Sequence, residues 1–441
     1  MANTRKYDLV IEGGALLTMA EGQEPLHDVR VMISGDTIAD ITTRHRGRMP
    51  ETKEMINAEG TIILPGLINS HVHSPMTIFR GMADDLPLKQ WLFDHIFPAE
   101  ARYIHPDVVY WASLLACAEM IASGTTTIVD GYFLADEIVK AVSQVGMRAL
   151  VAQGVIDFPA PGVPEPAKNI DVALGFMERW KGFSDLITPG LFCHSPLTCA
   201  EETLRRSWDI ARGFGTPLQI HLSETEEEVV EIEERTGFRP AFYLDDLGIL
   251  GSGLVCAHAI HLSEEEIGLL KKRGVAVAHC PESNMKLGAG IAAVGTMLEK
   301  GITVGLGTDG CASNNNLDLL AEMDTAAKLG KYAKLNPTAL DAQTVLGMAT
   351  RGGARLMGIE DRVGTIEAGK KADIIIVDAN TPHMVPLYHP FSQIVYSATG
   401  GDVRDVIING TILYRDRRFT ALDVDEVQGE VRTISRNIQR S

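Results

Sequence analysis

Apolar runs recur along the middle of the chain at residues 62–68, 125–129, 148–156, 187–193, 217–222, 253–257, 274–278 and 302–307. Between them lie stretches whose apolar residues fall at helical spacing, such as 106–123, which closes on a Ser-Gly stop. Strand followed by helix, repeated, predicts a parallel sheet, and eight strands is the number that closes into a barrel. The flanks have a different texture. Short runs at 7–12, 15–19, 28–33 and 37–41 are separated by Gly-rich turns. The same texture returns at 373–377, 403–408 and 411–414, the last two joined by Asn409-Gly410, a hairpin signal. The expected fold is α/β: a (β/α)8 TIM barrel over residues 65–364, with a small β-sandwich domain built from 1–64 and 365–441.

Polar residues collect where the predicted strands end, which in such a barrel is the catalytic face. His71-Val72-His73 follows the first run, and alternate strand residues point the same way, so two imidazoles face one point as metal ligands do. His221 ends the fifth run and Asp309 the eighth; three imidazoles and one carboxylate suit Zn2+ or Fe2+. The fourth strand offers no lysine to bridge two metals, so one per subunit is expected. Glu224, three residues beyond His221, is placed for proton transfer. Its competing reading is a solvated face, because Glu226, Glu227, Glu228, Glu231, Glu233 and Glu234 follow it. His258, ending the sixth run, is expected to hold a reacting water or polarise a substrate, against the plainer reading of a satisfied core histidine. His194 is expected in the pocket and His279 behind the ligands, with His27, His45, His95, His105, His261, His383 and His389 in surface or structural roles.

Two other motifs are set aside. Gly305-Leu306-Gly307-Thr308-Asp309-Gly310 spells G-x-G-x-x-G after a strand. A dinucleotide site needs an acid ending a second strand about twenty residues on, and that distance falls in the helix-like run 317–329. The H-x-E with P-C-x-x-C signature of cytidine-type deaminases is absent.

Composition excludes some classes of partner. A formal charge of -18 over 441 residues argues against nucleic acid or an anionic membrane, which basic faces usually meet. The six cysteines, Cys117, Cys193, Cys199, Cys256, Cys280 and Cys311, form no C-x-x-C pair and read as reduced thiols. No signal-peptide-like or membrane-length apolar stretch is present, so a cytoplasmic location is expected. A homo-oligomer is compatible with the sequence.

With these residues in place, the chain resembles the amidohydrolase superfamily, and within it the 5-methylthioadenosine/S-adenosylhomocysteine deaminases. The resemblance covers nearly the whole chain. It is carried by His71-Val72-His73-Ser74-Pro75-Met76-Thr77-Ile78-Phe79-Arg80-Gly81-Met82, Trp91-Leu92, Phe97-Pro98-Ala99-Glu100 and Cys193-His194-Ser195-Pro196. His221-Leu222-Ser223-Glu224-Thr225, Gly307-Thr308-Asp309-Gly310 before Ser313-Asn314-Asn315, and Gly369-Lys370-Lys371-Ala372-Asp373 extend it. The resemblance implies hydrolytic deamination at C6 of an adenine nucleoside. His71, His73, His221 and Asp309 would bind one Zn2+, and Glu224, His258 and Asp309 would be catalytic. Glu100 and His194 match positions that contact the nucleoside, and Trp91 matches one that lines the same pocket. There is one departure. Relatives that accept S-adenosylhomocysteine carry arginines after the third strand for its carboxylate, and the aligned residue here is Gln153. Preference for the uncharged methylthio substituent is therefore expected. The alternatives are a guanine-type or s-triazine deaminase or chlorohydrolase on the same scaffold and, in another class, a non-catalytic metal-binding barrel.

Overall fold

A computed structural model of the chain describes residues 6–43 and 50–440; His45 lies outside the described residues. Eight parallel strands form the central sheet in sequence order: Leu67–Val72, Thr125–Tyr132, Arg148–Val155, Ile187–Cys193, Leu218–Leu222, Leu254–His258, Ala276–His279 and Thr303–Leu306. They are buried almost throughout, as expected where helices cover the outside of a parallel sheet. The first and eighth strands close the barrel at their C-terminal ends. There the Asp309 N–H donates to the His71 carbonyl at 3.0 Å, and Asn69 bonds Thr308 through both its amide atoms, at 2.7 and 3.1 Å.

The first predicted strand needs correction. Residues 62–68 are not one strand: Thr61–Pro65 belongs to a different sheet, and the barrel strand begins at Leu67. Gly66 is the break. Its N–H turns aside to the Asp373 carbonyl at 3.0 Å, and a Cβ there would lie 2.1 Å from the Thr126 hydroxyl oxygen. Only a residue without a side chain lets the two sheets meet so closely.

The flanking strands form two sheets that face each other. One runs Thr37–Thr43, Val29–Ser34, Lys6–Glu12, Glu51–Asn57. The other runs Arg418–Phe419, Thr411–Arg415, Val403–Ile408, Ile374–Asp378, Thr61–Pro65, Ala15–Leu16, Leu26–His27. Leu9, Ile11, Val31 and Ile33 of the first pack with Ile63, Ile374, Ile376 and Ile407 of the second in one core. Neighbours one residue along, Ile62, Leu64, Ile375, Val377 and Val406, belong instead to the barrel core. The two-residue period of a strand thus buries both faces of the second sheet, one in each body. A buried ion pair adds a polar clamp: Arg148, which opens the third barrel strand, bonds Asp373 through Nε at 2.7 Å and Nη2 at 3.1 Å.

The helix predicted at 106–123 is Pro106–Ala122, with Ser123 capping it. Val424–Arg440 forms a closing helix that packs on it through the buried Val427 and Val431. Among the described residues no helix is long and apolar enough to cross a membrane.

Candidate active site

A parallel barrel points all its strand C-termini the same way, and these ends deliver the predicted residues to one place. His71 lies on Leu67–Val72 with His73 just beyond, His221 on Leu218–Leu222, His258 at the end of Leu254–His258, and Asp309 just past Thr303–Leu306. His71 Nε2 and His221 Nε2 are 3.2 Å apart. Asp309 Oδ1 is 3.2 Å from His73 Nε2 and 3.5 Å from His71 Nε2. Around a tetrahedral ion bonded at about 2.0–2.1 Å, neighbouring ligand atoms sit roughly 3.3 Å apart, so these separations have the length of cage edges. His71, His221, His258 and Asp309 each offer one ligand atom within 4.8 Å of the others.

Electrostatics agree with a cation-binding donor set. Burial pulls the His71 imidazole down to about 4 and, with the charges of neighbouring histidines, His221 well below the usual range, so both are neutral ligands at pH 7. Burial pushes Asp309 upward, but its contacts with the His71 and His73 rings and the charges of His73 and His258 outweigh it and hold the carboxyl well below its usual range. Its second oxygen, Oδ2, accepts from Ser283 and Ser313, both at 2.7 Å. His73 Nδ1 donates to the Gly131 carbonyl, which can only accept; that proton is fixed there, and Nε2, 3.2 Å from Asp309, is the atom that would face a metal. Asp309 and His258 hold left-handed backbones, φ 60° and 66°. Such strain, of order 1–3 kcal/mol each, persists where surrounding bonds enforce it, as the bond from the Asp309 N–H to His71 does.

Glu224 stands beside this group, its Oε1 3.9 Å from His258 Nε2. Burial raises its carboxyl above the usual range, and the Asp309 charge adds to this. His258 is raised too: burial opposes, but the charges of Glu224 and Asp309 prevail, while Asn284 Oδ1 holds Nδ1 at 2.9 Å. The Glu224 N–H donates to buried Glu228 at 2.8 Å, and Glu228 is itself tied to the cap residue Thr225 at 3.1 Å. The acidic run is therefore not one solvated face: Glu226 and Glu227 are exposed, whereas Glu224 and Glu228 turn inward.

One cavity opens onto His73, His221, Glu224, His258 and Asp309. Much of its remaining wall is apolar, including Met76, Leu88, Trp91, Leu92, Phe97 and Leu287; Glu100, Tyr132 and His194 add polar groups. Among the described residues no lysine or arginine lines it.

Residues 62–413 match the sequence model of the Amidohydrolase family. The chain belongs to the amidohydrolase family. It is 46% identical, over 98% of its length and 99% of the relative's, to a 5-methylthioadenosine/S-adenosylhomocysteine deaminase of Syntrophobacter fumaroxidans. It is 44% identical, over 95% of its length and 96% of the relative's, to a 5'-deoxyadenosine deaminase of Methanosarcina mazei. A crystal structure of an adenosine deaminase from Xanthomonas campestris with bound zinc superposes with a TM-score of 0.96 at 37% identity, covering 99% of both chains.

Of the substrate residues expected in this amidohydrolase, Trp91, Glu100 and His194 line the cavity and Gln153 does not. Gln153 is buried on the third strand, where its Oε1 accepts from the Ala135 N–H at 3.2 Å and its Nε2 donates to the Gly154 carbonyl at 3.1 Å. The adjacent Gly154 faces the cavity instead. His194 is oriented by Thr198, 2.9 Å from Nδ1, and burial lowers it to about 3, leaving a neutral ring. His279 is buried, likewise lowered to about 3 by burial, and lies outside the cavity lining. Sequence reasoning gave no role in the site to Tyr132, Ser283, Asn284 or Ser313. The signal available for them was weak, a polar residue at or a few positions beyond a strand end.

Proposed function

We propose that this amidohydrolase removes the C6 amino group of adenine nucleosides by hydrolysis, converting 5-methylthioadenosine to 5-methylthioinosine in preference, with related 5'-substituted adenosines as further substrates. The observation that carries this reading is the convergence of three histidines, Asp309 and a buried Glu224, whose carboxyl is raised above its usual range, on one side of a cavity otherwise mainly apolar. The deaminase relatives support the substrate class. The absence of a cationic side chain from the described lining supports the preference, because a homocysteine carboxylate would find no partner there.

His71, His73, His221 and Asp309 would hold one divalent ion, Zn2+ by donor type and by the zinc of the Xanthomonas relative. When bound, it supplies the Lewis acidity that brings water ionisation near neutral pH. Asp309 takes a proton from the attacking water at its carboxylate and returns it to the departing amine. Glu224 gives its proton to ring N1 as oxygen adds to C6, then recovers one from the new hydroxyl as the carbonyl forms. His258, held through Nδ1 by Asn284, donates from Nε2 to the attacking oxygen. Ammonia leaves as the C6–N bond breaks.

The same proposal divides the chain into a catalytic body over 65–364 and a sandwich over 1–64 and 365–441. It places the protein in the cytoplasm, where its six buried thiols would stay reduced. The test is ammonia release from 5-methylthioadenosine and S-adenosylhomocysteine in parallel. Faster turnover of the methylthio compound is expected; equal efficiency would overturn the preference, and no release from either would overturn the reading.

A further inference from the structure

Tyr132 ends the second barrel strand and is 4% exposed; its phenol donates to Oε1 of Glu100 at 2.5 Å. Glu100, 3% exposed, lies on the helix Phe97–Tyr103, outside the barrel strands, in the segment that also carries Trp91 and Phe97. Both residues line the cavity. No other described side chain bonds the Glu100 carboxyl, no lysine or arginine lines the cavity, and His73 is the titratable neighbour in the lining whose charge acts on it. A buried carboxyl with one oxygen committed to a neutral donor keeps its second oxygen for a ligand, and a carboxylate can only accept. The ligand must therefore bring O–H or N–H donors. In 5-methylthioadenosine the only hydroxyls are the vicinal 2' and 3' pair of the sugar.

We propose that Tyr132 is a positioning residue for sugar recognition, fixing Glu100 so that its free oxygen accepts the vicinal hydroxyls. The inference rests on the deaminase reading above. Neutral phenol suits the task better than lysine or arginine would, because it orients the carboxylate without neutralising it. Proton balance supports the role. Burial lifts Glu100 to about 7 and the Tyr132 bond opposes that rise. Removing the phenol lets the carboxyl climb further, so the accepting form becomes scarcer near neutrality and returns as pH rises. Tyr132 also neighbours Phe133, with ring centroids 5.5 Å apart, and His73, at 6.3 Å, so a purely packing role is the rival explanation.

The test compares zinc-loaded wild type and Tyr132→Phe on 5-methylthioadenosine and on its 2',3'-dideoxy analogue, below and above the pH of about 7 where Glu100 titrates. Loss of a hydrogen bond to a charged acceptor should raise KM for the ribose substrate by about tenfold or more, with kcat little changed. The dideoxy analogue should show no such difference, and the ribose penalty should shrink as pH rises. Glu100→Gln should reproduce the substrate-selective loss, and adding Tyr132→Phe to it should cost little more, since the two act as one unit. Equal losses on both substrates, a fall in kcat alone, or fully additive effects would assign Tyr132 to packing and overturn the proposal. Wild type that deaminates neither compound would overturn the deaminase reading and this inference with it. Wild-type turnover with an indifferent Tyr132→Phe would overturn the inference alone.

Discussion

Asp373→Ala should destabilise the chain strongly while leaving the chemistry of the folded molecule intact. Asp373 and Arg148 are each 3% exposed at the side chain and share two bonds, at 2.7 and 3.1 Å. Alanine would leave the guanidinium buried with two longer contacts, to the Asp185 carbonyl and Asn409 Oδ1, both at 3.3 Å. Stranding one member of a buried pair costs about 3–5 kcal/mol. The Asn409 N–H, which donates to Asp373 at 2.7 Å, loses its acceptor as well, adding about 1 kcal/mol. A total near 4–6 kcal/mol is a large share of the roughly 5–15 kcal/mol that holds a domain folded. Arg148 opens its strand, at the barrel face opposite the site, where residues serve stability rather than catalysis. Urea unfolding should therefore show a much lower midpoint, while kcat and KM of the folded fraction in dilute buffer match wild type. A shift below about 1 kcal/mol, or altered kinetics with an unchanged midpoint, would refute the clamp. Replacing both partners by apolar residues of similar size should restore most of the loss, because no charge is then left buried.

Three further outcomes follow from the site. Glu224→Gln should keep metal and fold but lose about a hundred- to ten-thousandfold in kcat, read by ammonia release against metal content; retained turnover would exclude its proton-transfer role. Ser283→Ala combined with Ser313→Ala removes both donors to Asp309 Oδ2 and should weaken metal affinity roughly ten- to a hundredfold, measured by competition with a chelator. Because Glu100 must be ionised to accept from the sugar and titrates at about 7, kcat/KM for the ribose substrate should fall as pH drops through that value. The dideoxy analogue should lack that acid limb, and a shared limb would assign it to another group.

The strand-end pattern was legible because it is local. His71 and His73 are two residues apart, and each of His221, His258 and Asp309 closes or follows an apolar run, so period and position sufficed. What escaped depends on contacts distant in the chain. Gly66 breaks its strand because Thr126 stands against it, which no local pattern displays. Glu51–Asn57 buries only Ile56 fully and shows almost no apolar alternation, so nothing marked it as a strand. Val424–Arg440 is polar apart from a narrow seam that buries Val427 and Val431, and it reads as surface until the helix beneath is in place. Tyr132 acquires its role from Glu100, 32 positions away, and Asn284 from His258, 26 positions away. The acidic run after His221 was ambiguous for a different reason: composition alone cannot separate inward Glu224 and Glu228 from exposed Glu226 and Glu227, and the turn capped by Thr225 does that.

The most direct test of the central claim is to titrate zinc into chelator-treated protein while following bound metal and ammonia release from 5-methylthioadenosine together. The account predicts that activity is lost with the metal and returns in proportion to zinc, saturating near one equivalent per chain, and that His71→Ala abolishes both binding and turnover. Deamination that survives full metal removal, or one tight zinc per chain with no deamination of any adenine nucleoside, would contradict it.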